Sequence, residues 1–268
     1  MLKKKWQILV VLLMVGALSV PFLISSLAQT DDEQSQLREK KKRDDLLKEI
    51  KAKFPVVDYS GAEIDDPARK AKSKKYGRIP IFTPDATGDK LATAVIDWEV
   101  GLPALPVEKS QLIIVGKVAE ANAFLSDNKT AVYSEFKIEV EKVFKNETTQ
   151  RLKGEGYVIA ERQGGVVRYP SGAETLVMVA GQQMPAVQKR YVFFLSYDFP
   201  GLAPQNEDLH IVTAYELADG RVIPLDSPGG GTHPIAREYK GKEVSELFSD
   251  LKKALLKSSR KTVKEALP

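Results

Sequence analysis

Tyr133-Ser134-Glu135-Phe136-Lys137-Ile138-Glu139-Val140-Glu141-Lys142-Val143-Phe144 is the stretch on which the fold turns. Phe136, Ile138 and Val140 point one way, and Lys137, Glu139 and Glu141 the other, which is the period of a half-buried strand. The alternation slips at Val143, which falls where a polar residue is due. One extra residue near Glu141-Lys142, a β-bulge, restores the register. Long bulged strands are how small sheets curl towards closure.

Upstream, Leu112-Ile113-Ile114-Val115-Gly116-Lys117-Val118 is apolar at both parities, so this strand is expected to be covered on both faces. Gly116 marks a bend or a close approach of another chain segment. Downstream, Tyr157 to Ala160, then Gln163-Gly164-Gly165 with a return through Val166, Val167 and Tyr169, then Thr175 to Ala180, read as further strands. Tyr191 to Leu195 is again apolar at both parities. His210 to Leu217 and Arg221 to Leu225 flank Asp219-Gly220, a two-residue hairpin loop. Val244, Leu247, Phe248, Leu251 and Leu255 form one helical stripe, predicting a C-terminal helix over 243–258 that covers the doubly apolar strands.

The segments SQLIIVGKV, VYSEFKIEVEKVFKN, GGVVRYPSG, KRYVFFL and YELADGRVIPLD follow one another in an order that resembles the netrin-like, OB-type β-barrel domain of bacterial exported proteins. That architecture is shared with the tissue inhibitors of metalloproteinases. The resemblance covers about Ser110 to Asp226 and implies a mainly β fold with a small closed barrel. The inhibitors act through an N-terminal cysteine; this chain has no Cys, so that mechanism does not carry over.

The amino terminus sets the compartment. Lys3, Lys4 and Lys5 precede an uncharged run, Ile8 to Leu27, and small residues follow at Ser26-Leu27-Ala28. This is the pattern of a signal peptide over 1–29, or of an uncleaved anchor through residues 8–27. An exported protein, periplasmic or extracellular, is expected, with the membrane touched only through that segment. Residues 30–54 read as a charged helix, with a capping box at Thr30-Asp31-Asp32-Glu33 and a stop at Pro55. Residues 55–109 show no sustained period and read as a basic linker and extended lead-in.

The 268 residues carry 40 Lys and Arg against 36 Asp and Glu. Without the N-terminal lysines the balance is near zero, which excludes nucleic acid as an electrostatically attracted partner. The chemistry is sparse. No metal or other cofactor is expected, because two histidines without cysteine do not assemble a zinc site unaided. His210 reads as a half-buried strand residue, and His233 as part of a mobile glycine-rich loop over 227–242. The candidate binding surface is the hairpin carrying Arg162, Gln163, Arg168 and Tyr169 beside Glu161, where guanidinium forks and a phenol suit a carboxylate, a glycan or a partner protein. The expected function is a non-enzymatic exported module that binds a protein or cell-envelope component. An inhibitor of an extracellular hydrolase and a carboxylate-dependent wall-polymer hydrolase are the alternatives.

Overall fold

The computed structural model describes residues 35–42, 44–45, 47–61, 66–148, 156–197 and 208–265. The N-terminal apolar segment and the expected capping box lie outside them. Among the described residues no helix is long and apolar enough to cross a membrane. The chain divides into two compact units, 1–52 and 53–268. In the first, the described residues from 35 to 51 are helical and mostly exposed, as the charged composition requires.

The second unit is mainly β with a C-terminal helix. Its strands are β1 (Val56–Asp58), β2 (Lys90–Ala94), β3 (Leu112–Leu125), β4 (Val132–Asn146), β5 (Tyr157–Gln163), β6 (Gly165–Arg168), β7 (Glu174–Val179), β8 (Arg190–Ser196), β9 (Leu209–Ala218) and β10 (Arg221–Pro224). Its helices are α1 (Pro67–Gly77), α2 (Pro234–Arg237) and α3 (Val244–Glu265). Six strands form one sheet in the order β10-β9-β5-β4-β3-β8, and β9 pairs with β8 as well. The other four form a second sheet, β1-β6-β7-β2.

The bulge read from the alternation is present. Val115 faces Lys142 and Gly116 faces Val140, which leaves Glu141 as the extra residue. Gly116 is required there by space: a Cβ would lie 2.5 Å from Ile138 Cγ2 and 2.7 Å from the Glu139 carbonyl oxygen. Asp219 and Gly220 adopt φ of 50° and 75°, and Arg221 returns opposite Ala218. Two left-handed residues in succession are what a type I′ hairpin needs.

The doubly apolar strands are buried on both faces. Ile113, Val115, Val192 and Phe194 pack with Leu247 and Leu251 of α3, whose stripe covers them as the spacing requires. Leu112, Ile114, Phe193 and Leu195 point to the opposite face and are fully buried there. Burial of large apolar side chains at about 1.5–3 kcal/mol each is what holds a chain that contains no disulfide.

Three expectations need correction. Residues 55–109 are not a structureless linker: β1 runs parallel to β6, β2 runs parallel to β7, and α1 lies between them in sequence. Asp66 caps α1 by accepting from the Ala68 amide, with Pro67 at the first position. The region lacked a period because its strands are short and the buried face of α1 is polar and aromatic: Ser73, Lys75 and Tyr76. Second, β6 and β7, expected within the barrel region, belong to the other sheet. Third, 227–242 is structured rather than an open loop. Pro228–Gly231 forms a 3-10 turn, His233 Nδ1 accepts from the Ile235 amide at the start of α2, and Ile235 is fully buried in a cluster with Trp98, Leu102 and Val179.

Candidate functional site

The four residues expected on one exposed hairpin face are separated by the structure. Only Arg168 is exposed, and its Nε donates to Glu174. Tyr169 is buried, its ring tilted against Tyr59 and its hydroxyl accepting from the Asp85 amide. Gln163 is 1 % exposed. Arg162 is 2 % exposed and shares the parity of Val158 and Ala160, both buried. Its guanidinium grips Asp226 with both ends, Nη1 to Oδ1 at 2.7 Å and Nη2 to Oδ2 at 2.9 Å. It also donates to the carbonyls of Gln183, Ile211 and Val212, and Thr213 donates to the same carboxylate. An expected surface fork is therefore an internal lock between β5, β9 and the segment after β10.

The residues on the other parity of β5 meet α1. Lys75 Nζ lies 2.5 Å from Glu161 Oε1 and 3.0 Å from His210 Nε2. Lys72 reaches Glu135 at 3.0 Å and Asp208 at 3.1 Å, and Arg69 adds a longer contact to Glu135. Tyr76 is fully buried and stacks on Tyr133, ring centroids 4.4 Å apart. Three cations of α1 thus face three carboxylates from β4, β5 and the residue before β9. Burial pushes the Glu161 carboxyl up from its ordinary value, against the pull of Lys75. Burial, with Lys75 and Lys72, drives His210 well below the usual imidazole value, so the ring is neutral. Burial works against the Lys72 ammonium, but Glu161, Glu135 and Asp208 outweigh it and its pKa is raised. Burial and the Glu161 charge raise the Tyr76 phenol well above its ordinary value.

Beside this network lies a pocket of about 260 Å³. Trp98, Val100 and Leu102 make one wall, Ile211 and Val212 another, and Glu161, Arg162, Ser196 and His210 contribute polar groups. Gln182 and Lys109 complete the lining. Trp98 is fixed by its indole N–H donating to the Ala180 carbonyl. Ser196 stands across from His210 in the β8–β9 pairing. Lys75 and Lys72 oppose an imidazolium at His210, and Glu161 Oε1 lies 3.2 Å from the same Nε2. Among the described residues no group of three or more His, Asp and Glu is placed to hold a metal.

Sequence reasoning assigned Lys72 and Lys75 to a basic linker rather than to a helix face, and missed Glu135, Asp208 and Trp98. The signal available was Asp66-Pro67, a helix start, followed by Lys72, Lys75 and Tyr76 at i, i+3 and i+4 on one face. In the comparisons with known proteins, no family model, no curated sequence and no solved structure matched this chain.

Proposed function

We propose that β3, β4, β5, β8 and β9, within the 110–226 region, form a closed five-stranded barrel of OB type, akin to netrin-like domains, in a non-enzymatic exported module that binds a protein or cell-envelope component. The observation that carries the barrel is the double pairing of β8, hydrogen-bonded to β3 on one side and to β9 on the other. With β3–β4, β4–β5 and the parallel β5–β9 pairing, the contacts run β3-β4-β5-β9-β8 and return to β3. In this cycle each of the five strands has a neighbour on both sides, and the short parallel contact, Ala160–Glu161 against Leu209–His210, is where an OB-type order joins its third and fifth strands.

Fold does not assign function, so the binding reading rests on the site. The buried charges are matched among themselves, which suits a rigid recognition surface better than proton transfer. The pocket joins apolar walls to fixed polar groups, as ligand sites do. Export is supported by the lysines and the apolar run at residues 3–27.

The test is co-sedimentation of the purified full chain with wall sacculi and with lipid vesicles, alongside fractionation of expressing cells. Retention by envelope material and recovery outside the cytoplasm are expected. A cytosolic protein overturns the export reading. Turnover of wall polymer that Glu161→Gln abolishes, with the fold intact, overturns the non-enzymatic one.

A further inference from the structure

The pocket between the 98–102 loop and β9 has room for one small molecule, and its charges decide which kind. Its volume is about 260 Å³. A cavity of roughly 150 Å³ already admits benzene, so a ring or short chain with one polar substituent fits. Two apolar walls enclose it, Trp98, Val100 and Leu102 on one side and Ile211 and Val212 on the other. The first wall is preformed: Trp98 donates its indole N–H to the Ala180 carbonyl at 2.9 Å and packs with Leu102, Val179 and Ile235. Three lining residues carry a full charge, Glu161, Arg162 and Lys109. Glu161 is matched by Lys75 at 2.5 Å and Arg162 by Asp226 at 2.7 Å, and both lining side chains are 1 % exposed. Lys109 is exposed and has no ion-pair partner among the described residues. The cavity therefore presents one unspent positive charge, and it stands on the solvent side.

We propose that this pocket binds a small apolar monocarboxylate, with its hydrocarbon body between the two walls and its carboxylate at Lys109. Burying the body removes apolar surface from water, which supplies the affinity. The carboxylate stays at the mouth, where it gains the free ammonium and keeps part of its hydration. A neutral ligand of the same shape leaves Lys109 unmatched, and a cationic one meets a like charge. An acid seated the other way round would press its charge on Glu161, whose counter-ion is already engaged. The site thus selects for an apolar body and for its orientation. The inference rests on the binding half of the module reading, whose pocket it fills, and takes nothing from export or from contact with the envelope.

Trp98 reports the binding directly. It and Trp6 are the two tryptophans of the chain, so the full-length Trp6→Phe protein carries a single indole, in the pocket wall. Its emission is titrated with octanoate and phenylacetate, with the matching amides, and with phenethylammonium. At least one acid is expected to change the emission with a half-point below ~5 mM, the range open to a ligand of about ten non-hydrogen atoms. The matching amide should bind about threefold more weakly, the loss of one partly exposed ion pair. Lys109→Gln alters an exposed residue without an ion-pair partner, so the fold is retained, and it should bring acid and amide to equal affinity. Tighter octanoate marks an extended body and tighter phenylacetate a ring; both support the inference. Binding of neither acid, an amide that binds as well as its acid, an acid preference unchanged in Lys109→Gln, or tighter binding of phenethylammonium would each overturn it. Retention by sacculi without acid binding would sink this inference alone and leave the module reading standing. Acid binding by a protein that sacculi do not retain supports it and counts against the envelope as the module's partner.

Discussion

Replacing Arg162 with Met should be among the most damaging single changes in the barrel region. The guanidinium is 1 % exposed and its Asp226 partner fully buried. The substitution keeps most of the side-chain volume and removes the charge. Asp226 then retains the Thr213 hydroxyl and the Gln183 amide as donors but loses its counter-ion. The carbonyls of Gln183, Ile211 and Val212 each lose a donor. Breaking a buried pair by removing one partner costs about 3–5 kcal/mol. Against a total of about 5–15 kcal/mol, that raises the unfolded fraction by roughly a thousandfold. In thermal unfolding it corresponds to a loss of about 6–20 °C for a domain of this size. Urea unfolding of the full chain, followed by far-UV circular dichroism, reads the change as a shifted midpoint at constant slope. The double variant Arg162→Met/Asp226→Leu should recover at least half of the loss, because the stranded carboxylate is gone. A single variant within 1 kcal/mol of the parent, or a double variant worse than the sum of the two singles, would refute the reasoning.

Gly116→Ala should destabilise by about 1–3 kcal/mol in the same assay, since its Cβ would collide with Ile138 and with the backbone of the neighbouring strand. Leu251→Ala, at a fully buried position on the inner face of α3, should cost about 2–5 kcal/mol, while Leu256→Ala, 63 % exposed, should stay within about 0.5 kcal/mol; equal effects would mean that α3 is not seated by its apolar stripe. His210 is neutral in the fold and charges more readily once unfolded, so stability should fall as pH drops below 6.5, by at most about 1.4 kcal/mol per pH unit. Glu161 acts oppositely: its raised pKa lets the folded state hold a proton more tightly, so its contribution weakens as pH rises above 4.5. Unfolding of His210→Asn measured between pH 7 and 5 should therefore lose the decline and keep the Glu161 trend, and a decline as steep as the parent's would rule out the imidazole as its cause.

The long strands were legible because each buries an apolar face over many residues. The bulge at Glu141 follows from one broken alternation, and the hairpin at Asp219-Gly220 from two residues that tolerate positive φ. The stripe of α3 gave both its existence and its target. β1 and β2 were not legible, because short strands in parallel pairs depend on partners more than 80 residues away. α1 was hidden for a different reason: its buried face carries Lys75 and Tyr76 instead of aliphatic residues, so no apolar period exists to find. Arg162 was misplaced by the rule that charge faces water. Its parity with Val158 and Ala160 pointed inward, and an unmatched cation there requires an acid such as Asp226 from far along the chain.

A helix that sits on oily side chains can shift by one turn, about 5.4 Å, and still find oil beneath it. α1 has no such freedom. Sliding it would tear both lysines from their acids at once and pull Tyr76 off its stack. The arrangement sacrifices some adhesion for a single permitted seat of α1 against β4 and β5.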